Sequence, residues 1–196
     1  GAGKKIYWAD HIMDKIRRSN LDGTGVEDVV NIESDKGVGS GATAIEFSRA
    51  LSKVFWADDR KLTIEAFDLT TQQMEILREN VFYPSGLSLD ALSQNLYYVF
   101  STSGVWRVLL DELSHVLLVG DSMLSGNAVA DVPGKIFWLR LAPVTKPGIG
   151  SLRFADLDGA NVGFLVETGL EAPRFVEVLP DEIDLGDFVA FVACTT

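Results

Sequence analysis

One six-residue pattern comes back along the chain, and it limits the fold more than any other feature. KIYWAD (Lys5 to Asp10) returns as KVFWAD (Lys53 to Asp58), as NLYYVF (Asn95 to Phe100) and as KIFWLR (Lys135 to Arg140), with DFVAFV (Asp187 to Val192) read as a fifth, decayed copy. Repetition at about 40 to 50 residues marks propellers and solenoids, because a unit of that size cannot bury its own apolar face and must stack on a neighbour.

The rest of each unit is equally regular. After the first four copies come KIRRSNLDG, LTIEAFDLTT, GVWRVLLDE and SLRFADLDG, then GVEDVVNI, QMEILRE, SHVLLVG and NVGFLVE. The runs ATAIEFS, GLSLDALS, NAVADVP and PRFVEVLP read as one more strand type, the innermost of each sheet. β-Branched and aromatic residues in stretches of about four to eight, bounded by Asp-Gly, Pro-Gly and Ser-Gly, read as strands. TQQMEILREN (Thr71 to Asn80) also fits a helical turn, and MDKIRRSN is similarly ambiguous. Asp22-Gly23 and Asp158-Gly159 are hairpin chemistry: glycine accepts positive φ, and aspartate bonds its own following backbone. The aromatic strand is apolar on both faces, as a strand sandwiched between sheets must be. Trp8, Trp56 and Trp138 suit that stacking.

These observations predict an all-β fold, a small β-propeller of four-stranded blades forming one domain over residues 1–196. Its units span about 3–34, 42–80, 86–121 and 126–168, with a partial unit at 173–196. The chain enters at a second strand and ends with a first strand, so its ends are expected to complete one mixed blade. Four blades is the reading taken. Five blades, or a segment of a six-bladed ring finished by another chain, are the alternatives.

Composition narrows the function classes. The net charge of -11 argues against nucleic acid as a partner, since phosphate affinity rests on clustered Lys and Arg. The lone cysteine, Cys194, makes no internal disulfide, and no apolar run approaches the ~20 residues of a membrane helix, so membrane insertion is not expected.

KIYWADHIMDKIRRSNLDGTGVEDVV resembles the YWTD, or low-density lipoprotein receptor class B, repeats. It shares the aromatic pair, the aspartate, the basic third strand and Leu-Asp-Gly. The second unit keeps Phe55, Trp56, Ala57 and Asp58; the fourth has Leu139 and Arg140 where Ala or Thr and Asp belong; the third keeps only LYY. The resemblance implies a β-propeller that binds proteins, and a secreted or organelle-lumen protein in processed form; compartment is otherwise unknown. Asp10 and Asp58, which end the aromatic strands, read as scaffold residues that bind backbone groups of adjoining blades. Family propellers usually have six blades, more than a chain of this length supplies.

The candidate sites are few. Glu46, Asp90, Asp131 and Glu177 lie at similar places in the four first strands, which line a propeller's channel, so they could ring a cation such as calcium. The competing reading, taken here, is that no metal is bound and these carboxylates are hydrogen-bonded structural groups. DLDGAN (Asp156 to Asn161) lacks the later ligands of a calcium loop and reads as a turn. GVGSGAT reads as a connection between blades, and His11 and His115 as loop or surface residues. The loop from Leu141 to Gly150, with Lys146 and Pro147, interrupts the repeat, and interruptions of this kind are where binding concentrates. The C-terminal strand, with Phe188 and Phe191, is expected to pair with a partner subunit or with the first blade, because open edges recruit other chains.

The function expected is therefore a non-enzymatic protein-interaction or scaffold module, an accessory subunit of a larger assembly being one form of it. The alternative is a calcium-dependent propeller hydrolase or lactonase using the central carboxylates to orient a water.

Overall fold

The computed structural model describes residues 4–32, 41–90, 94–121, 134–141 and 150–170. Among them are four antiparallel sheets that follow the sequence repeat. Blade I comprises β1 (Lys5–Asp10), β2 (Lys15–Asn20) and β3 (Glu27–Asn31). Blade II comprises β4 (Ala42–Ser48), β5 (Lys53–Asp58), β6 (Thr63–Asp68) and β7 (Gln73–Arg78). Blade III comprises β8 (Pro84–Asp90), β9 (Asn95–Phe100), β10 (Gly104–Leu109) and β11 (Ser114–Gly120). Blade IV comprises β12 (Lys135–Arg140), β13 (Gly150–Asp156) and β14 (Gly163–Leu170). Strands pair in sequence order within each blade, so each is a meander.

The two ambiguous segments are strands: β7 covers most of Thr71–Asn80, and β2 lies in MDKIRRSN. Both are held by ladder bonds to neighbouring strands, β2 between β1 and β3 and β7 against β6, which a lone helical turn would not supply. Blade III opens at Pro84, two residues earlier than the unit boundary expected from the glycine, and β14 runs to Leu170.

The core lies between blades, not within them. Tyr7, Ile16 and Val30 of blade I meet Ile45, Val54 and Trp56 of blade II. Phe55, Ala57 and Ile64 on the opposite face of blade II meet Leu96, Tyr98 and Phe100 of blade III. Tyr97, Val99 and Val105 of blade III then meet Ile136 and Trp138 of blade IV. Successive residues of a strand point to opposite faces, so the doubly apolar aromatic strand feeds two interfaces at once. Trp56 and Trp138 are fully buried. In blades II to IV the fourth residue of this strand faces the preceding blade, and in blades I to III the third faces the following one.

A single turn design recurs. Asp10, Asp58 and Asp68 each close a strand and accept backbone N–H groups of the turn just after it: Met13 N on Asp10, Arg60 N and Lys61 N on Asp58, Thr70 N and Thr71 N on Asp68. These bonds hold the Asp68 carboxyl below its ordinary range. Asp58 also takes Gly41 N at 3.0 Å. Among the described residues, the recurring aspartates Asp10 and Asp58 thus bind their own blade's turn, and Asp58 the residue entering it, where an adjoining blade was expected. The shortness of the side chain is the reason: an aspartate carboxyl reaches N–H groups two or three residues on and little further.

Candidate functional site

Hydrogen bonds link one edge of blades I, II and III into a continuous exposed face. It is formed where β1 turns to β2, β5 to β6 and β9 to β10, and where the chain enters β4 and β8. The Arg60 guanidinium of blade II donates to His11 Nε2 of blade I at 3.1 Å. Thr43 Oγ, at the head of β4, donates to Pro84 O of blade III at 3.0 Å. Ser101 Oγ, in the β9–β10 turn, donates to Tyr83 O at 2.9 Å.

Large apolar side chains stand out from this face. Ile12 is 89% exposed, Met13 50%, Phe82 50% and Tyr83 67%. Tyr83 has φ of 53°, in the left-handed region that a bulky residue avoids. The cost is of order 1–2 kcal/mol, and such strain persists only where the surroundings enforce it. Here Ser101 grips the Tyr83 carbonyl from one side and Pro84 fixes the next residue, so the ring is held in water. An aromatic pair beside an aliphatic pair and an exposed arginine is the composition of a protein-contact surface.

Two further clusters lie between blades. Asp121, just after β11, accepts Arg153 Nη1 at 2.8 Å and Trp138 Nε1 at 3.3 Å, and pairs with Arg140 Nε at 3.5 Å, tying blade III to blade IV. His115 on β11 joins blades II and III. Its Nε2–H donates to Leu77 O at 3.0 Å, which leaves Nδ1 to accept the Tyr98 hydroxyl at 3.0 Å. Burial and the nearby Arg78 push His115 below its ordinary pKa, while burial raises Tyr98 to about 12. His115 is therefore an inter-blade bridge, not the loop residue expected; its partners lie far off in sequence. A groove of about 210 Å³ opens between blades I and II, lined by Arg18, Asp28, Val29, Leu69 and Gln72.

The expected carboxylate ring does not share a register. Glu46 stands opposite Phe55, the third residue of β5, whereas Asp90 stands opposite Asn95, the first residue of β9. Ser88 is the residue equivalent to Glu46, so the two acids are offset by two residues, roughly 7 Å along a strand. Both first strands carry the same bulge near their start, so the offset lies in the chain itself: Glu46 precedes Lys53, the first residue of β5, by seven residues, whereas Asp90 precedes Asn95, the first residue of β9, by five. Among the described residues no group of three or more His, Cys, Asp or Glu could hold a metal ion. Asp131, Glu177, Lys146, Pro147, Phe188 and Phe191 lie outside the described residues.

The hairpin residues behave as their chemistry requires. Asp22 Oδ1 accepts both Thr24 N and Thr24 Oγ, and Gly23 has φ of 80°. Asp158 Oδ1 accepts Ala160 N, and Gly159 has φ of 86°. Gly159 also permits a close approach between blades, since a Cβ there would come within 2.4 Å of Leu118 O on blade III. Trp8 is half-buried, with the Arg17 guanidinium 5.9 Å from its ring centre.

No family model matches the chain, and no curated protein does. Solved structures do match. A chain in the crystal structure of a nidogen/laminin complex superposes with TM-score 0.70 at 17% identity, over 87% of this chain and 64% of that one. TolB from Acinetobacter baumannii gives TM-score 0.63 at 12% identity, over 83% of this chain and 41% of that one. The calcium-binding protein regucalcin from Agrobacterium tumefaciens gives TM-score 0.51 at 13% identity, over 66% of this chain and 44% of that one. This chain therefore spans less than two thirds of the length of each. At these identities the likeness shows the fold, a small β-propeller of stacked blades. Among the described residues no helix is long and apolar enough to cross a membrane.

Proposed function

We propose that the chain is a non-enzymatic interaction module of the YWTD kind, working as a scaffold or accessory subunit outside the cytosol, and that it receives a protein partner on the face carrying Ile12, Met13, Phe82 and Tyr83. The observation that carries this reading is the exposed apolar cluster: Ile12 is 89% exposed, Tyr83 67%, and Met13 and Phe82 50% each, all on one face of the blades. The solved neighbour in a nidogen/laminin complex supports a propeller that works by binding protein.

The alternative, a calcium-dependent hydrolase, draws on the regucalcin likeness. The offset between Glu46 and Asp90 weighs against it.

The test places a photo-crosslinking residue at Ile12 or Tyr83, with Thr70 on the opposite face as control, in the protein within its source extract. A stoichiometric protein adduct from Ile12 and Tyr83 alone is expected, and the adduct from Ile12 should be lost in Tyr83→Asn. Asparagine tolerates the left-handed backbone, so that variant separates binding from folding. Equal labelling from both faces would refute the assignment.

A further inference from the structure

We propose that the partner of the exposed face presents an acidic segment, in which carboxylates beside an apolar side chain are received by Arg60 and Arg78 while the apolar side chain packs on Phe82 and Tyr83. This rests on the reading of that face as a protein-contact surface and names the chemistry of what it contacts.

Both arginines belong to the same edge of blade II as the aromatic pair. Arg60 lies in the turn from β5 to β6, and Arg78 closes β7 just before the segment that carries Phe82 and Tyr83. Val81 N donates to Leu62 O at 2.8 Å, which ties that segment to the β5–β6 turn. Other arginines hold carboxylates: Arg17 holds Asp28 at 2.9 Å, Arg18 holds Glu27 at 2.7 Å, and Arg140 and Arg153 share Asp121. No carboxylate among the described residues pairs with Arg60 or Arg78, although Asp59 and Glu79 are their neighbours in sequence. Arg49 and Arg107 also pair with none among the described residues, but they lie elsewhere. Arg49 is in the β4–β5 turn at the opposite edge, and Arg107 shares with Tyr97 and Val105 the face toward blade IV.

Each guanidinium is positioned without being neutralised. Arg60 is exposed and donates to His11 Nε2, an acceptor only while the imidazole is neutral, so His11 orients the group and leaves its charge intact. Arg78 sits over the Trp106 ring, 5.3 Å from its centre. That ring is itself fixed: Trp106 Nε1 donates to Ser103 Oγ at 3.1 Å, and the indole stacks on Tyr98 with 14° between planes. A guanidinium over an aromatic face keeps its N–H donors, which lie in its own plane, for the two oxygens of a carboxylate. Its charge reaches its neighbours: after burial, Arg78 is the next cause of the depressed His115 pKa. The chain as a whole carries -11, but charges beyond about 8 Å are largely screened at physiological ionic strength, so the two local arginines decide contact. Phe82 and Tyr83, 50% and 67% exposed, supply the apolar part of the seat.

Titrating the nitrogen-labelled full chain with the acetylated, amidated tripeptide Glu-Phe-Glu, and with Gln-Phe-Gln as the uncharged control, tests this by magnetic resonance. The acidic peptide should bind about tenfold tighter than the control, and should raise the His115 pKa by cancelling the Arg78 charge. Arg78→Gln and Arg60→Gln should each weaken it about tenfold, Arg78→Lys less, and Arg49→Gln not at all. Equal binding of the two peptides, an unmoved His115, or a loss in Arg49→Gln as large as in Arg78→Gln would overturn the proposal. Crosslinking from Tyr83, repeated in the Arg60→Gln, Arg78→Gln double variant, separates the acidic partner from the contact face. An undiminished adduct keeps the face and overturns the acidic partner; a lost adduct, with Arg49→Gln unaffected, supports both. No adduct from the wild type would overturn the face and this proposal together.

Discussion

Replacing Asp121 by alanine isolates what joins blade IV to the rest of the molecule. Its side chain is 10% exposed and holds three groups from β12 and β13. The Arg153 contact at 2.8 Å is a charge-assisted hydrogen bond, worth about 1.5–3 kcal/mol. The Trp138 Nε1 contact is longer, 3.3 Å, but the indole is fully buried, so losing its acceptor costs about 1 kcal/mol. The Arg140 pair at 3.5 Å, with the arginine 25% exposed, adds at most about 0.5 kcal/mol. The expected loss is about 3 kcal/mol, the low end of what breaking a buried pair costs. For a chain of this size that lowers the melting temperature by about 6–12 °C. Scanning calorimetry of Asp121→Ala, Arg153→Ala and the double variant reads both the loss and the coupling, which should be about 2 kcal/mol. Asp121→Asn should fall between, keeping the indole's acceptor and losing the charge. A loss under about 0.5 kcal/mol for Asp121→Ala, or additive single losses, would refute the claim that this carboxylate joins the blades.

Other outcomes follow from particular contacts. Gly159→Ala should cost more than Gly23→Ala although both residues have positive φ. A Cβ at Gly159 meets Leu118 O at 2.4 Å, whereas at Gly23 nothing lies within 4 Å, leaving only the roughly 1 kcal/mol of the left-handed backbone; equal losses in thermal melts would show that blades III and IV do not touch there. Stability should fall as pH drops below 6.5, because the folded state depresses the His115 pKa and so binds its proton less readily than the unfolded chain. The contribution is present above 6.5 and lost progressively down to the folded value; a His115→Gln variant with an unchanged urea midpoint profile between about pH 7 and 5 would exclude this residue as the cause. Adding calcium or a chelator should leave the melting temperature unchanged, and a calcium-dependent rise lost in Asp90→Asn would instead favour the hydrolase reading.

Among the described residues the strands, their order and their pairing were legible in the sequence, because the repeated aromatic run and the turn residues are local signals. KVFWAD, NLYYVF and KIFWLR are strands with the bounds read from the chain. Less legible were the backbone positions between them. Asp14, Ser52, Leu62, Gln72, Gln94 and Leu113 all have positive φ just before a strand, though none is glycine. Several of these turns are locked from outside: Asp14 O accepts Ile32 N, Ser52 O accepts Leu69 N, and Leu62 O accepts Val81 N. A bond from another part of the blade can hold a non-glycine residue left-handed, and no local signal records it.

What the sequence determined by itself is the unit: a meander of short strands, four in blades II and III, with the aromatic strand doubly apolar, unable to fold alone and so obliged to stack. That follows from residue type and period, which are properties of neighbours in the chain. What only the tertiary structure decided is which residues meet across blades. His115 with Leu77 and Tyr98, and Asp121 with Arg153 and Trp138, depend on how blades stack and on the register of β11, which a bulge shifts against β10. Because the side chains of a strand alternate faces, one inserted residue changes what a side chain meets while leaving the sequence pattern almost unaltered.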